Sequence, residues 1–558
     1  PAPVPPGNAS STPGGFKEVR ARHAVLHVPS GRTAEAAAWS READRRLEAL
    51  AARLGVKLPD QPLHLFLHDS TAAKNTLAGD DSPFTVRADR REVHHLIPPG
   101  GPGGGKGGIT DPRGDALLLL SLAWGPPASE RTGRAVARWA AGDFHGQPLA
   151  AYAARVTREE GPYPLREVLR DPGRDEPHLS PLVADALGGA WVEHARRARS
   201  LKEIWSSPLP DGAWERSWEE LERDWRAWLA SLPAPSKRSP RRDRSVLPFQ
   251  RGITLAHEGF RTQEGYGSDA ALAQLARIRK LGANAVTLVP YGFTRAPEET
   301  SVRWIGSDES DDRISRTVRE ARRLGLHVVL KPQLWSRGTF TGHIVFADDA
   351  GFGRWMASYR RYVLHYARLA ELERADLFVI GTELGGLTTR EAAWRELIRD
   401  VRKVYSGPLT YSANWGEEFE RLAFWSDLDF LGVNFYYPLV TSPGEVPRAG
   451  SPRVRELSAM LERISRKHRK PVLFTEVGYA TSAAAALEPW KENNAATDPD
   501  MQARCYEVIF QSFYRRPWLA GLHWWKGPSP GRGSAADPTF SPLGKPALGV
   551  LERWYGER

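Results

Sequence analysis

Cysteine is almost missing from this sequence. Its 558 residues carry one, Cys505, which excludes an intrachain disulfide and any zinc site built from several thiolates. Long apolar runs are missing too. The longest block, Ala116 to Trp124, is broken by Ser121 and falls well short of the roughly 18 residues that a membrane-spanning helix needs. The net charge of +10, from 77 Lys and Arg against 67 Asp and Glu, forms no basic stripe interleaved with aromatics, so a nucleic-acid partner is not expected. An acidic glycan would still be drawn by it. The glycine cluster Gly100 to Gly108 lacks the form of a phosphate loop, because Gly107 follows Lys106 where that motif needs Ser or Thr. No cofactor is expected.

What is abundant is tryptophan, 20 residues in a chain that is 41% hydrophobic. That supports sizeable cores, and indole faces also suit sugar rings. The length argues for two domains. Residues 1–15 (PAPVPPGNASSTPGG) read as a flexible Pro/Gly/Ser spacer, as expected of an exported protein or lipoprotein. Residues 16–232 read as an α+β domain without regular rhythm, with a helix over Ala34 to Leu54 and a strand over Leu63 to Leu67. Residues 233–248, containing KRSPRRDR, read as a basic Pro-rich linker, and residues 249–558 as a second domain. Within the first domain, His94 and His95 are adjacent and point apart. His64 and His68 share a strand face about 13 Å apart, so neither pair suits a metal.

From Arg251 onward the rhythm is regular. Strands are expected at Gly252 to His257, Ala285 to Tyr291, His327 to Leu334, Leu377 to Thr382, Leu409 to Asn414, Phe430 to Tyr436, Val472 to Thr475 and Leu519 to Trp524, each followed by an amphipathic helical segment. Eight such units in about 300 residues predict a (β/α)8 TIM barrel. An open doubly wound sheet is the alternative, but GITLAHEGF lacks the glycine fingerprint usual after its first strand.

In such a barrel the carboxyl ends of the strands converge on one face. Reading them off gives His257 and Glu258, Tyr291, Lys331 with Gln333 and Trp335, Glu383, Asn414 with Trp415, Asn434 with Tyr436, Glu476, and Trp524 with Trp525 and Lys526. Two carboxylates facing each other from strands four and seven, with amides, hydroxyls and indoles around them, are what cleavage of a glycosidic bond requires.

These residues carry a resemblance. The pieces RGITLAH, LGANAVTLVPY, FVIGTELGG, DFLGVNFYYPL, PVLFTEVGY and GLHWWKG make the barrel similar to clan A retaining glycoside hydrolases, most of all to glycoside hydrolase family 113, whose members include β-1,4-mannanases. The resemblance implies Glu383 as general acid/base, Glu476 as nucleophile, Tyr436 beside the nucleophile, and Trp524 at the bottom of the −1 sugar subsite. Many clan members have Asn just before the strand-four glutamate; here Thr382 stands there, in keeping with the family 113 branch. Residues 16–232 loosely resemble gluzincin-type metallopeptidase-like domains through DALLLLSLAWGPP, RAVARWAAGDFHGQPL and WEELERDWRAWLASL. Asp115 and Leu119 stand where the two zinc histidines would be, and Arg134 near the glutamate ligand, so this domain is expected to be catalytically dead and to bind a protein or glycan.

The implied activity is double-displacement hydrolysis of a β-linked polysaccharide or oligosaccharide, with β-mannan or a related hexosan favoured. Lys331, Trp335, Asn414, Trp415, Asn434, Tyr436, Trp524 and Trp525 are the candidate sugar contacts. The competing expectation is a non-hydrolytic carbohydrate-binding or scaffold protein with a drifted barrel.

Overall fold

The computed structural model describes residues 15–98, 111–170, 179–207, 216–233, 242–243, 247–257, 264–304, 309–492 and 497–556. Nearly all of the spacer, the glycine cluster, most of the basic linker and Glu258 lie outside the described residues. The chain divides into two compact units, Pro1–Asp171 with Val183–Ser236, and Pro172–Leu182 with Lys237–Arg558.

The first unit is built on a five-stranded sheet in the order β1 (Phe16–Arg20), β2 (Ala24–Pro29), β3 (Leu63–His68), β5 (Glu92–Leu96), β4 (Phe84–Arg87). The three inner strands are parallel and the two edges antiparallel. A small ribbon, β6 (Asp143–Phe144) with β7 (Gln147–Pro148), follows. Asp115, fully buried, accepts hydrogen bonds from His95 Nε2 at 2.9 Å and Arg46 Nε at 2.6 Å. Its charge is therefore taken up by a buried ion-pair network.

On one face of this sheet a ring column runs across the strands. Phe66 lies flat between His27 and His94, with centroids 3.9 and 4.5 Å away, and these two bond His64 and His68 at 3.0 and 3.1 Å. His64 and His68 thus find their partners on neighbouring strands, at distances a single strand's spacing does not reveal.

The second unit is a closed parallel barrel. Its eight strands are β8 (Gln250–Ala256), β9 (Ala285–Leu288), β11 (His327–Leu330), β13 (Leu377–Thr382), β14 (Leu409–Asn414), β15 (Leu431–Phe435), β16 (Val472–Val477) and β17 (Leu519–Pro528). Two expected strands are interrupted. The second and third stop short of Pro290 and Pro332, which have no N–H to donate to a ladder. They resume as a separate parallel pair above the barrel, β10 (Tyr291–Thr294) with β12 (Gln333–Ser336).

Five of the helices of this unit begin at polar caps. Ser268, Ser310, Asp348, Ser451 and Asp498 each accept a backbone N–H from the first helical turn, a contact typically worth about 1 kcal/mol. Amphipathic spacing does the rest. In the helix Glu391–Val404 the buried apolar side chains are Trp394, Leu397, Ile398, Val401 and Val404, one apolar stripe, and each side chain buried contributes about 1.5–3 kcal/mol.

Inside the barrel the layers change character along the strands. Val329, Leu377, Val379, Phe430 and Leu473 make an apolar floor. Above it, His523 fills the interior, its Nε2 donating to Gln250 Oε1 and its Nδ1 accepting from Thr287 Oγ1, both at 2.8 Å. Burial, helped by the nearby Lys331 charge, lowers the imidazole to about 3 and keeps it neutral. This packing requires Gly252, since a Cβ there would lie 2.1 Å from the imidazole.

Candidate active site

Glu476 projects from β16 and is almost fully buried. One carboxylate oxygen is paired with the Lys331 ammonium, which is itself completely buried. The other accepts a hydrogen bond from Tyr436 Oη at 2.9 Å. Burial first, then the charges of Glu476 and Glu383, push the Tyr436 phenol well above its usual range. It therefore stays a donor at neutral pH.

Glu383 follows β13 and lies partly open at the barrel mouth. Its backbone is left-handed, φ 50°, a conformation that costs a non-glycine residue on the order of 1 kcal/mol and is held only where surroundings fix it. Its N–H donates to Ser412 O at 2.9 Å. Burial, the larger cause, and the Glu476 charge push its carboxyl up to about 8, against the opposing influence of Asn434 and Lys331. The second of the two glycines that follow is required by a neighbouring loop. A Cβ on Gly386 would lie 2.3 Å from Ile344 O.

Between the two glutamates stands a polar layer. Asn434 Oδ1 accepts from Ser412 Oγ at 2.6 Å and from Thr475 Oγ1 at 3.1 Å, which fixes the amide so that its nitrogen is the end left to act on Glu383. The Thr382 hydroxyl is buried with no partner among the described residues.

The candidate sugar contacts divide. Tyr436 and Trp525 pack with Ala256, Val289, Ala480 and Phe540 at the mouth, joined by Tyr291 and Trp415. Trp335, on β12, is 51% exposed with its ring edge to Phe293. Asn414 ends β14 and its N–H donates to Glu418 Oε2 at 2.7 Å. Lys331 is committed to Glu476, over the Trp525 face at 5.4 Å. Trp524 does not line the mouth. It is 1% exposed and stacks on Tyr506 of the helix Pro499–Phe513 with centroids 3.6 Å apart. Alternation along β17 sends Trp524 outward to the helices and Trp525 inward.

Two residues escaped the sequence reading. Trp490, 46% exposed, lies over Trp415 with centroids 5.0 Å apart; it follows no strand, and only its being an exposed indole could have marked it. Glu418 sits beside Glu383 in the short helix Glu417–Arg421, where the run EEFER reads as a solvated charge cluster. Together the arrangement offers a carboxylate held by a cation and a phenol, and a second carboxyl that keeps its proton near neutrality.

Residues 255–538 match the model of Glycoside Hydrolase Family 113. Among solved structures the chain is similar to the family 113 β-mannanase of Alicyclobacillus acidocaldarius, at 30% identity over 56% of this chain and 98% of that one, with a TM-score of 0.51. It is also similar to two structures of a family 113 β-1,4-mannanase, at 27% and 26% identity, covering 56% of this chain and all of theirs, with TM-scores of 0.50 and 0.51. No curated protein matches it. A closed eight-stranded barrel with this family's signature over half of its length makes the chain a member of glycoside hydrolase family 113, and so a glycoside hydrolase of clan A.

Proposed function

We propose that the protein is a retaining β-glycanase acting on β-mannan or a related hexosan, with Glu476 as nucleophile and Glu383 as acid/base. The observation that carries this reading is the asymmetry of the pair. Glu476 has one oxygen paired with Lys331 and the other bonded by Tyr436, whereas burial and the Glu476 charge push the Glu383 carboxyl up to about 8. Environments that split two carboxyls in this way assign base and acid.

In the first step a Glu476 oxygen attacks the anomeric carbon while Glu383 gives its proton to the departing glycosidic oxygen, leaving a glycosyl ester on Glu476. In the second, Glu383, now a carboxylate, takes a proton from a water that attacks the same carbon, and Glu476 is released. Asn434 favours the carboxylate form of Glu383 that the second step uses. The exposed indoles of Trp335 and Trp490 support a polymeric substrate, since they offer sugar-stacking faces beyond the reacting residue. The β-mannan preference rests on the activity named for the similar family 113 structures.

The test is hydrolysis of defined β-mannans, β-glucans and aryl β-glycosides by the wild type beside Glu383→Gln and Glu476→Gln, with the product anomer followed by proton NMR. A β product appearing first, and loss of activity in both variants, is expected. An α product, or a variant at wild-type rate, overturns the assignment.

A further inference from the structure

A third carboxylate stands beside the pair. Leu384 N–H donates to Tyr411 Oη at 2.7 Å, and Tyr411 O–H donates to Glu418 Oε1 at 2.6 Å. Glu418 Oε2 accepts Asn414 N–H at 2.7 Å. A Cβ on Gly385 would come within 3.6 Å of the Glu418 carboxyl carbon, so Glu418 lies against the turn that carries Glu383. We propose that Glu418 is a positioning residue that sets both the direction and the charge of Glu383. This rests on the acid/base reading above.

Direction comes from the relay. The left-handed turn at Glu383 is held by two peptide N–H groups, its own to Ser412 O and that of Leu384 through Tyr411 to Glu418. Burial and the Glu418 charge raise the Tyr411 phenol well above its usual range, so it remains O–H and the relay keeps one sense. A turn of this kind persists only where its surroundings over-determine it.

Charge comes from proximity. Among the described residues the groups that face Glu383 are Glu476, Lys331, Tyr436, Asn434 and Glu418. Glu476, Glu418 and the deprotonated form of Tyr436 disfavour a negative charge there; Lys331 and Asn434 favour one. Once Glu476 is esterified its charge is gone, while Lys331 remains. Among the described residues Glu418 is then the anion left to keep Glu383 basic enough to deprotonate water. Burial pushes Glu418 itself up to about 7, against the donors Tyr411 and Asn414, so its charge is present on the alkaline side of neutrality, where the protonation of Glu383 is decided.

The experiment is a 13C NMR titration of protein labelled at the glutamate carboxyl carbons, the Glu383 signal being the one lost in Glu383→Gln. In Glu418→Gln the Glu383 midpoint is expected to fall by about half to one pH unit, and the basic limb of kcat/KM with it. Glu417→Gln, changing an exposed neighbour, leaves both in place. Tyr411→Phe keeps the carboxylate but cuts the relay, so kcat falls about tenfold with KM little changed. An unmoved midpoint in Glu418→Gln, or an equal shift in Glu417→Gln, overturns the charge role; an unchanged kcat in Tyr411→Phe overturns the positioning role. Were Glu383→Gln to retain full glycanase activity, the acid/base reading would fail while the titration still decided whether Glu418 governs Glu383.

Discussion

Lys331 and Glu476 meet across the barrel: β11, which precedes the lysine, is its third strand and β16, which carries the glutamate, its seventh, and both side chains are almost entirely buried. Such a pair spans the diameter of the ring. Removing its cation leaves Glu476 with Tyr436 as its remaining partner. Lys331→Met should cost about 3–5 kcal/mol of unfolding free energy, read by denaturant titration, and at least about 100-fold in kcat. A variant with wild-type kcat would show that the ammonium does not hold the nucleophile.

Glu383 implies a trade between stability and activity. Its carboxyl, ordinarily near 4.5, stands at about 8 in the folded protein. Between those values the unfolded chain has lost the proton and the folded one keeps it, so stability falls as pH rises from about 4.5 to 8. Glu383→Gln should therefore be more stable than wild type at pH 8, by roughly 1–3 kcal/mol, and equal to it at pH 4. Melting curves at the two pH values check this, and a stabilisation independent of pH would contradict the raised carboxyl. The wild-type kcat/KM should drop above about pH 8 as the acid is lost.

The adjacent tryptophans of β17 should behave oppositely. Trp524→Ala empties a site packed against Tyr506 and should destabilise by about 3–5 kcal/mol. Trp525→Ala should cost more activity than stability. Trp490→Ala should lower kcat/KM on polymer about tenfold and leave aryl glycosides untouched. A loss equal on both substrates would mean that Trp490 supports the fold of the mouth.

The histidine column of the first unit makes that unit acid-sensitive. Burial lowers His27 and His68 to about 4 and His94 to about 3. The unfolded chain takes up protons near 6.5, so stability present at neutral pH is lost as pH falls from about 6.5 towards 4. Hydrogen exchange at β3 and β5 should accelerate over that window. Protection that stays constant would exclude the mechanism.

The barrel was legible because its strands, buried on both faces, read as apolar runs ending in polar residues. Strand-end position also brought out Glu383, Glu476, Asn434 and Tyr436. What the pattern could not carry was direction and company. Trp524 and Trp525 are identical in type, and only the alternation of a strand longer than expected decides which faces the mouth. Lys331 looked like a substrate contact because its partner is 145 residues away. Glu418 was hidden inside a charged run, where sequence offers no mark of burial. Pro290 and Pro332 stand inside two apolar runs that the pattern alone reads as unbroken, and the missing N–H groups end both ladders there.

Gly252 and His523 close the barrel from within. Among the described residues an imidazole and then an apolar floor lie beneath the carboxylates, so the barrel interior below them is filled. On the proposed mechanism, whatever resolves the glycosyl ester then approaches from the mouth, the side through which the leaving sugar departs. Water and a second sugar hydroxyl therefore compete at one doorway. On the proposed mechanism, a high concentration of acceptor oligosaccharide should divert the enzyme from hydrolysis to chain transfer.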